Sequence, residues 1–238
     1  MNILLTNDDG INSEGLQKLA SLLRSGGKHK VTVIAPDANR SGISHALSIF
    51  NGPVKLTRLD EDTYSCTGYP ADCVILALYG VLPKKPDLVL SGINSGANLG
   101  TDIVYSGTDS AARQASFAGV PAIALSLAGS GVFHWDMAVS WSVNNLDTLF
   151  AYWVKDTFVN VNIPNNPDGP DGIIVTWPAV KFYNETLAKM TSFDGSDWYF
   201  LKLGEESVVK EEGSDCDAVS RNYVSVSQVL NLPAVKKD

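Results

Sequence analysis

Two adjacent carboxylates, Asp8 and Asp9, follow a short apolar run at residues 3–6 and are closed by Gly10. At the end of one strand such a pair repels itself and costs stability unless a cation lies beside it. Two further segments are rich in oxygen donors, Asp37-Ala38-Asn39-Arg40-Ser41-Gly42 and Gly92-Ile93-Asn94-Ser95-Gly96-Ala97-Asn98. Carboxylate, hydroxyl and amide oxygens make a hard site suited to Mg²⁺, Mn²⁺ or Ca²⁺, and three scattered histidines without a cysteine cluster speak against zinc. Either aspartate alone could equally cap a helix starting near Glu14. The doublet together with two other oxygen-rich segments favours a metal.

Ser106-Gly107-Thr108 stands directly before an alanine-rich helical pattern. A helix start presents free N–H groups and the positive end of the helix dipole, which suits a phosphate, although Thr108 could simply be an N-cap. Beside the metal segment, these parts describe phosphoryl transfer to water. A cation would activate a bound water and hold an oxygen of the phosphate, while N–H groups and hydroxyls take the other oxygens. With Asp8 on the metal, Asp9 could activate the attacking water. His45 could protonate the leaving alkoxide, although a lone histidine near a loop commonly serves structure.

The elements that must position these groups alternate. Residues 3–6 and 31–35 read as strands around a helix at 14–24, whose Leu16, Leu19, Ala20, Leu22 and Leu23 recur at helical spacing. A helix is expected from about Gly68–Pro70 to Gly80, a strand at 87–91, a helix at 108–118 and a strand at 122–127. This alternation predicts an α/β fold with a doubly wound, mostly parallel, Rossmann-like sheet, whose ligands bind beyond the strand carboxyl ends. Further on, residues 135–154 read as one helix, 158–163 and 173–177 as strands, and Asp194-Gly195 as a hairpin turn. The division expected is a core over residues 1–184 and a C-terminal β-hairpin arm over 185–238, which lacks a core of its own and suits packing on a partner subunit.

Composition limits the alternatives. The 238 residues, 45% hydrophobic and 18% charged, suffice for one α/β core with a small appendage. A dispersed net charge of −8 argues against duplex nucleic acid as a partner. No apolar run is long enough to span a membrane and no export signal is apparent, so a cytoplasmic chain is expected. The three cysteines, Cys66, Cys73 and Cys216, show no paired spacing and read as free thiols, with Cys73 in a helix core.

With these residues in view, the chain resembles the SurE (survival protein E) family of metal-dependent nucleotidases. The likeness lies in residues 3–10 with Asn7-Asp8-Asp9-Gly10, in 35–42 with Asn39-Arg40-Ser41-Gly42, in 68–74, and in 87–108, which contain Ser91-Gly92-Ile93-Asn94 and Tyr105-Ser106-Gly107-Thr108. Residues 161–164 and 212–226 also resemble it. The resemblance implies one divalent cation per subunit, Mg²⁺ or Mn²⁺ with Ca²⁺ as a substitute in crystals, held by Asp8, Asp9, Ser41 and Asn94. It implies a phosphate pocket of Asn39, Gly42, Asn98, Ser106, Gly107 and Thr108, with Asp8 and Asp9 as the catalytic pair. It further implies hydrolysis of nucleoside 5′-monophosphates, extending to 3′-monophosphates, in a dimer or tetramer that exchanges hairpins from about residues 185–219. The chain departs from the family pattern at Arg113 and Gln114, where an apolar residue and Glu are usual, and at Trp177-Pro178-Ala179, where a polar, Arg-rich stretch is usual.

Two other readings are open to test. Aspartyl-phosphate phosphatases need their two aspartates two residues apart, whereas Asp8 and Asp9 are adjacent. A non-catalytic nucleotide-binding module would carry a glycine fingerprint where Asp8 and Asp9 stand, and those carboxylates would repel a pyrophosphate.

Overall fold

The structure, a computed structural model, describes residues 1–202, 204, 206–209 and 211–234. The remaining positions of the expected arm, 203, 205, 210 and 235–238, lie outside the described residues.

Six strands form the parallel body of a nine-stranded sheet: β1 Asn2–Thr6, β2 Lys30–Pro36, β4 Thr63–Cys66, β5 Leu88–Ser95, β6 Ala122–Ala128 and β7 Thr157–Pro164. β3 (Leu56–Arg58) pairs antiparallel with β4 at one edge. At the other side the last strand among the described residues, β13 (Val224–Leu230), runs antiparallel to β7 and parallel to β8 (Ile173–Val175), giving the order β3-β4-β2-β1-β5-β6-β7-β13-β8.

Both faces of this sheet are covered, and the period-two alternation of strand side chains explains how. Ile3 and Leu5 on β1, with Val31 and Val33 on β2 and Leu88 and Leu90 on β5, pack beneath α1 (Glu14–Ser25), α5 (Trp135–Asn144) and α6 (Leu146–Ala151). Leu4, Ile34, Val89, Ala124 and Phe158 face the other way, against α2 (Pro70–Leu76) and α4 (Gly107–Phe117). Each large side chain buried here contributes about 1.5–3 kcal/mol. Small residues on α4, Ala111, Ala112 and Ala115, let that helix lie close to the sheet, and Cys73 is buried in α2 as expected.

β1 is the point where the winding reverses, since β2 lies on one side of it and β5 on the other. The segments after β1, β2 and β5 therefore open into one crevice. β5 extends beyond the expected 87–91 to Ser95, and its register against β6 shifts between Ser91 and Asn94. Gly92 makes this possible: its φ is +136°, and a Cβ there would collide with the carbonyl oxygen of Leu125.

The expected single helix at 135–154 is two helices, broken at Asn145, whose side chain caps α5 by donating to the Trp141 carbonyl at 2.8 Å. After β8 the chain forms β9 (Lys181–Tyr183), β10 (Thr186–Thr191), β11 (Asp197–Lys202) and β12 (Glu206–Val208). β10 and β11 make a separate hairpin on which every strand position is exposed, Leu187, Trp198, Tyr199, Phe200 and Leu201 included. α7 (Asp215–Ser220) and β13 then return to the main body, and α3 (Asp102–Tyr105) is a single turn ahead of α4. No helix among the described residues is long and apolar enough to cross a membrane.

Candidate active site

Asp8 leaves the end of β1 pointing under the start of α4. It is buried, and its Oδ1 accepts from Thr108 Oγ1 at 2.6 Å. Burial pushes its carboxyl up to about 6; the Thr108 hydroxyl and amide oppose this, and the charge of Asp9 adds to it. A buried carboxylate beside a second one is the arrangement a bound cation relieves. Gly107 is packed so tightly that a Cβ there would stand 2.7 Å from Asp8 Cβ and 2.9 Å from Oδ2. Only glycine fits at that point.

Asp9 is half-buried and tied to both neighbouring segments. Its Oδ2 accepts from the Ser95 amide at 2.9 Å, and its Oδ1 from Asn39 Nδ2 at 3.3 Å. Asn39 Oδ1 in turn accepts from the Ser41 amide at 2.8 Å, and the Arg40 amide donates to the Asp8 carbonyl at 2.7 Å. The loop carrying Ser41 is thus fixed to the Asp8-Asp9 pair. Asn94 donates through Nδ2 to the Gly96 carbonyl at 3.0 Å. Its Oδ1, like the Ser41 hydroxyl, makes no hydrogen bond among the described residues. Asp8, Asp9, Ser41 and Asn94 are therefore hard oxygen donors around one crevice, and they fit a divalent cation of the Mg²⁺ or Mn²⁺ kind. The described residues contain no group of three or more His, Cys, Asp or Glu placed to hold a metal.

The expected phosphate residues divide by what already engages them. Ser106 is the N-cap of α4, its Oγ accepting from the Asp109 amide at 3.0 Å, and the Thr108 hydroxyl is committed to Asp8. What the helix start offers a ligand is the first-turn amide of Gly107, which has no intrahelical partner, the Thr108 amide being turned towards Asp8. Asn98 is buried, with Nδ2 donating to Ser126 Oγ at 2.8 Å. Gly42 is exposed, with a φ of +73°, in the turn that presents Ser41.

His45 is not free to act as the acid suggested for it. Its Nε2 bonds Gln114 Oε1 at 3.0 Å, its ring stacks on Phe117 with centroids 5.8 Å apart, and burial lowers its pKa. Its work is to fasten the segment after β2 to α4. The partner is Gln114, one of the two positions that depart from the family pattern.

Sequence reasoning missed several groups around the crevice. Asp109 is fully buried, and its carboxyl oxygens have no hydrogen-bond partner among the described residues. Burial pushes this carboxyl up to about 7, against the opposing Ser106 hydroxyl and Arg113 charge. Asn160 and Asn162 on β7 both contact the Asn98 peptide, and the polar alternation in an apolar strand, Phe158 to Ile163, was the signal for them. The stretch between Asn98 and Ser106 is gripped from the C-terminal part of the chain. Buried Asp215 accepts from the amides of Gly100 at 2.7 Å and Ala179 at 2.8 Å. Lys181 Nζ meets Asp102 Oδ2 at 2.6 Å and Glu206 Oε2 at 3.1 Å, and Tyr183 donates to Asp102 Oδ1 at 2.6 Å.

The model of the family described as survival protein SurE matches residues 3–185. Among curated relatives, a 5′-nucleotidase SurE from Thermoanaerobacter sp. (strain X514) is 39% identical over 234 residues, spanning 96% of this chain and 92% of that one. A protein of the same name from Pelobacter propionicus is 40% identical over 232 residues, spanning 95% and 92%. Among solved structures, the crystal structure of the SurE protein from Aquifex aeolicus is similar with a TM-score of 0.85 and 39% identity, covering 98% of this chain and 95% of that one.

Proposed function

Because the chain belongs to the survival protein SurE family, we propose that it is a divalent-metal-dependent nucleotidase releasing phosphate from nucleoside 5′-monophosphates, with 3′-monophosphates as a second substrate class. The observation that carries this reading is the buried Asp8 carboxyl, set beside Asp9 and under the first turn of α4, where Thr108 holds it. A metal-free nucleotide carrier has no use for two carboxylates facing a phosphate.

Asp8, Asp9, Ser41 and Asn94 would hold the cation, Mg²⁺ or Mn²⁺, which supplies positive charge against the phosphate and lowers the pKa of a bound water. The amide of Gly107 and the side chain of Asn98 hold non-bridging phosphate oxygens, and such donors are each worth on the order of 10²–10³ in rate. Should Asp8 alone of the pair bind the cation directly, Asp9, half-buried, would take the proton of the attacking water. The new P–O bond forms to that water oxygen as the ester P–O bond breaks. With His45 engaged by Gln114, the departing alkoxide takes its proton from solvent.

The exposed β10–β11 hairpin supports a second part of the reading. Aromatic and aliphatic side chains on a two-stranded ribbon do not stay in water without cover. We place this hairpin against a second copy of the chain, as the arm of a homo-oligomer.

The deciding experiment is phosphate release from 5′-AMP and 3′-AMP with Mn²⁺, Mg²⁺ or excess EDTA, for the wild type and Asp8→Asn. Metal-dependent release that falls at least about 100-fold in the variant is the expected result. Nucleotide binding without turnover under every cation would overturn the reading in favour of a binding module.

A further inference from the structure

Asn98 is supported by strands β6 and β7. Its amide N–H donates to Asn162 Oδ1 at 2.8 Å, and its carbonyl accepts from Asn160 Nδ2 at 2.8 Å and Asn162 Nδ2 at 3.0 Å. Its own Nδ2 donates to Ser126 Oγ at 2.8 Å. Ser126 and Asn162 are register neighbours on the adjacent strands, and Ser126, Asn160 and Asn162 are all fully buried.

Placing two amides and a hydroxyl in the middle of a sheet costs about 1–3 kcal/mol for each group left unpaired. Here their bonds converge on one residue. Such a satisfied polar network gives a single rigid arrangement rather than added stability over an apolar core. An amide nitrogen carries two protons, and Ser126 takes one from Asn98. The other is left for a ligand.

We propose that Ser126, Asn160 and Asn162 are positioning residues for the substrate phosphate, acting through Asn98. The two asparagines fix its peptide, and Ser126 sets the rotation of its side-chain amide. This inference rests on the reading of Asn98 as a phosphate ligand. Sub-ångström placement of a phosphate donor matters because an error of about 1 Å can cost on the order of 10²-fold in rate.

The test uses Mn²⁺-loaded protein and compares wild type, Ser126→Ala, Asn162→Ala, Asn98→Ala and the Ser126→Ala/Asn98→Ala pair. The constants read are KM for 5′-AMP, Ki for inorganic phosphate, and the Mn²⁺ concentration for half activation. Ser126→Ala removes one oxygen and leaves the strand packing in place, so it decides the matter even if Asn162→Ala fails to fold. The expected result is a parallel rise of about fivefold in KM and phosphate Ki with unchanged Mn²⁺ activation, and under twofold further change when Ser126→Ala is added to Asn98→Ala. An unchanged phosphate Ki in Ser126→Ala, alongside a raised one in Asn98→Ala, overturns the positioning role and leaves the ligand reading standing. So does a shift in Mn²⁺ activation by Ser126→Ala, which would put its effect on the cation. An unchanged Ki in Asn98→Ala removes both.

Discussion

The hydroxyl of Thr108 donates to Asp8 Oδ1 at 2.6 Å, bridging 100 positions of sequence. The end of the first strand and the first turn of α4 are thereby locked together, so the candidate metal donor and the candidate phosphate cradle share one hydrogen bond. Thr108→Val keeps the shape and removes the donor. Phosphate release titrated with Mn²⁺ is expected to show weaker metal activation and about 10–100-fold lower kcat/KM, whereas Thr108→Ser retains most of the activity.

Asp109 makes stability depend on pH in a direction opposite to a salt-bridged carboxylate. Its folded-state pKa of about 7 stands above the ordinary 3.8, so the folded chain holds this proton more tightly than the unfolded chain. The folded state is penalised as pH rises through that window, fully so above about 7. Asp109→Asn is therefore expected to unfold at a higher temperature than wild type at about pH 8, by at most about 4 kcal/mol of stability, with the gain fading as pH falls towards 3.8. Thermal melts in EDTA across this range check it. A gain of equal size at both ends would show that the ionisation is not the cause.

Lys181 is a buried cation whose pKa is lowered by burial and raised further by Asp102, for a net value well above the ordinary one. Replacing it by Met leaves Asp102 with only Tyr183 as a side-chain partner among the described residues. A loss of about 3 kcal/mol in denaturant unfolding is expected. Because Asp102 lies in the turn before α4, KM for 5′-AMP should rise as well. An unchanged KM in the folded variant would separate the ion pair from the site.

The hairpin gives an assembly test. Trp198→Ser with Phe200→Ser removes two of its exposed aromatic groups. Light scattering after gel filtration is expected to show the wild type as a multimer and this variant as a smaller species. A wild type that stays monomeric at high concentration would rule out the second-copy reading.

How far the molecule could be read in advance follows from how local each signal is. The strands at 3–6, 31–35, 87–91 and 122–127, the helices between them and the Asp194-Gly195 turn are carried by neighbouring residues, and the structure has them nearly where expected, whereas the short edge strands β3 and β4 were not foreseen. The resemblance to the SurE family was legible because its motifs stand at the ends of β1, β2 and β5. The break at Asn145 was not, for no Gly or Pro marks it and an asparagine side chain ends the helix instead. Between the two readings open for His45 the sequence could not choose, because its partner, Gln114, lies 69 positions away. In β13, Ser225 and Ser227 suggest a solvated face, yet both are buried, each bonded to Thr176 Oγ1, at 3.0 and 2.8 Å. Only the neighbouring strand reveals that.

The place of β13 has a consequence for the order in which the molecule is made. β7 carries Asn160 and Asn162 and is covered along its open side by β13, which is synthesised more than 60 residues later. On a ribosome, a chain shorter than about residue 220 presents β7 as an unpaired edge, open to pairing with other chains. The nascent protein can complete its first five parallel strands early, but the asparagines beneath Asn98 stay at a raw margin until β13 emerges. Loss of β13 should therefore threaten the candidate crevice around Asn98 before it threatens the candidate metal loops after β1 and β2.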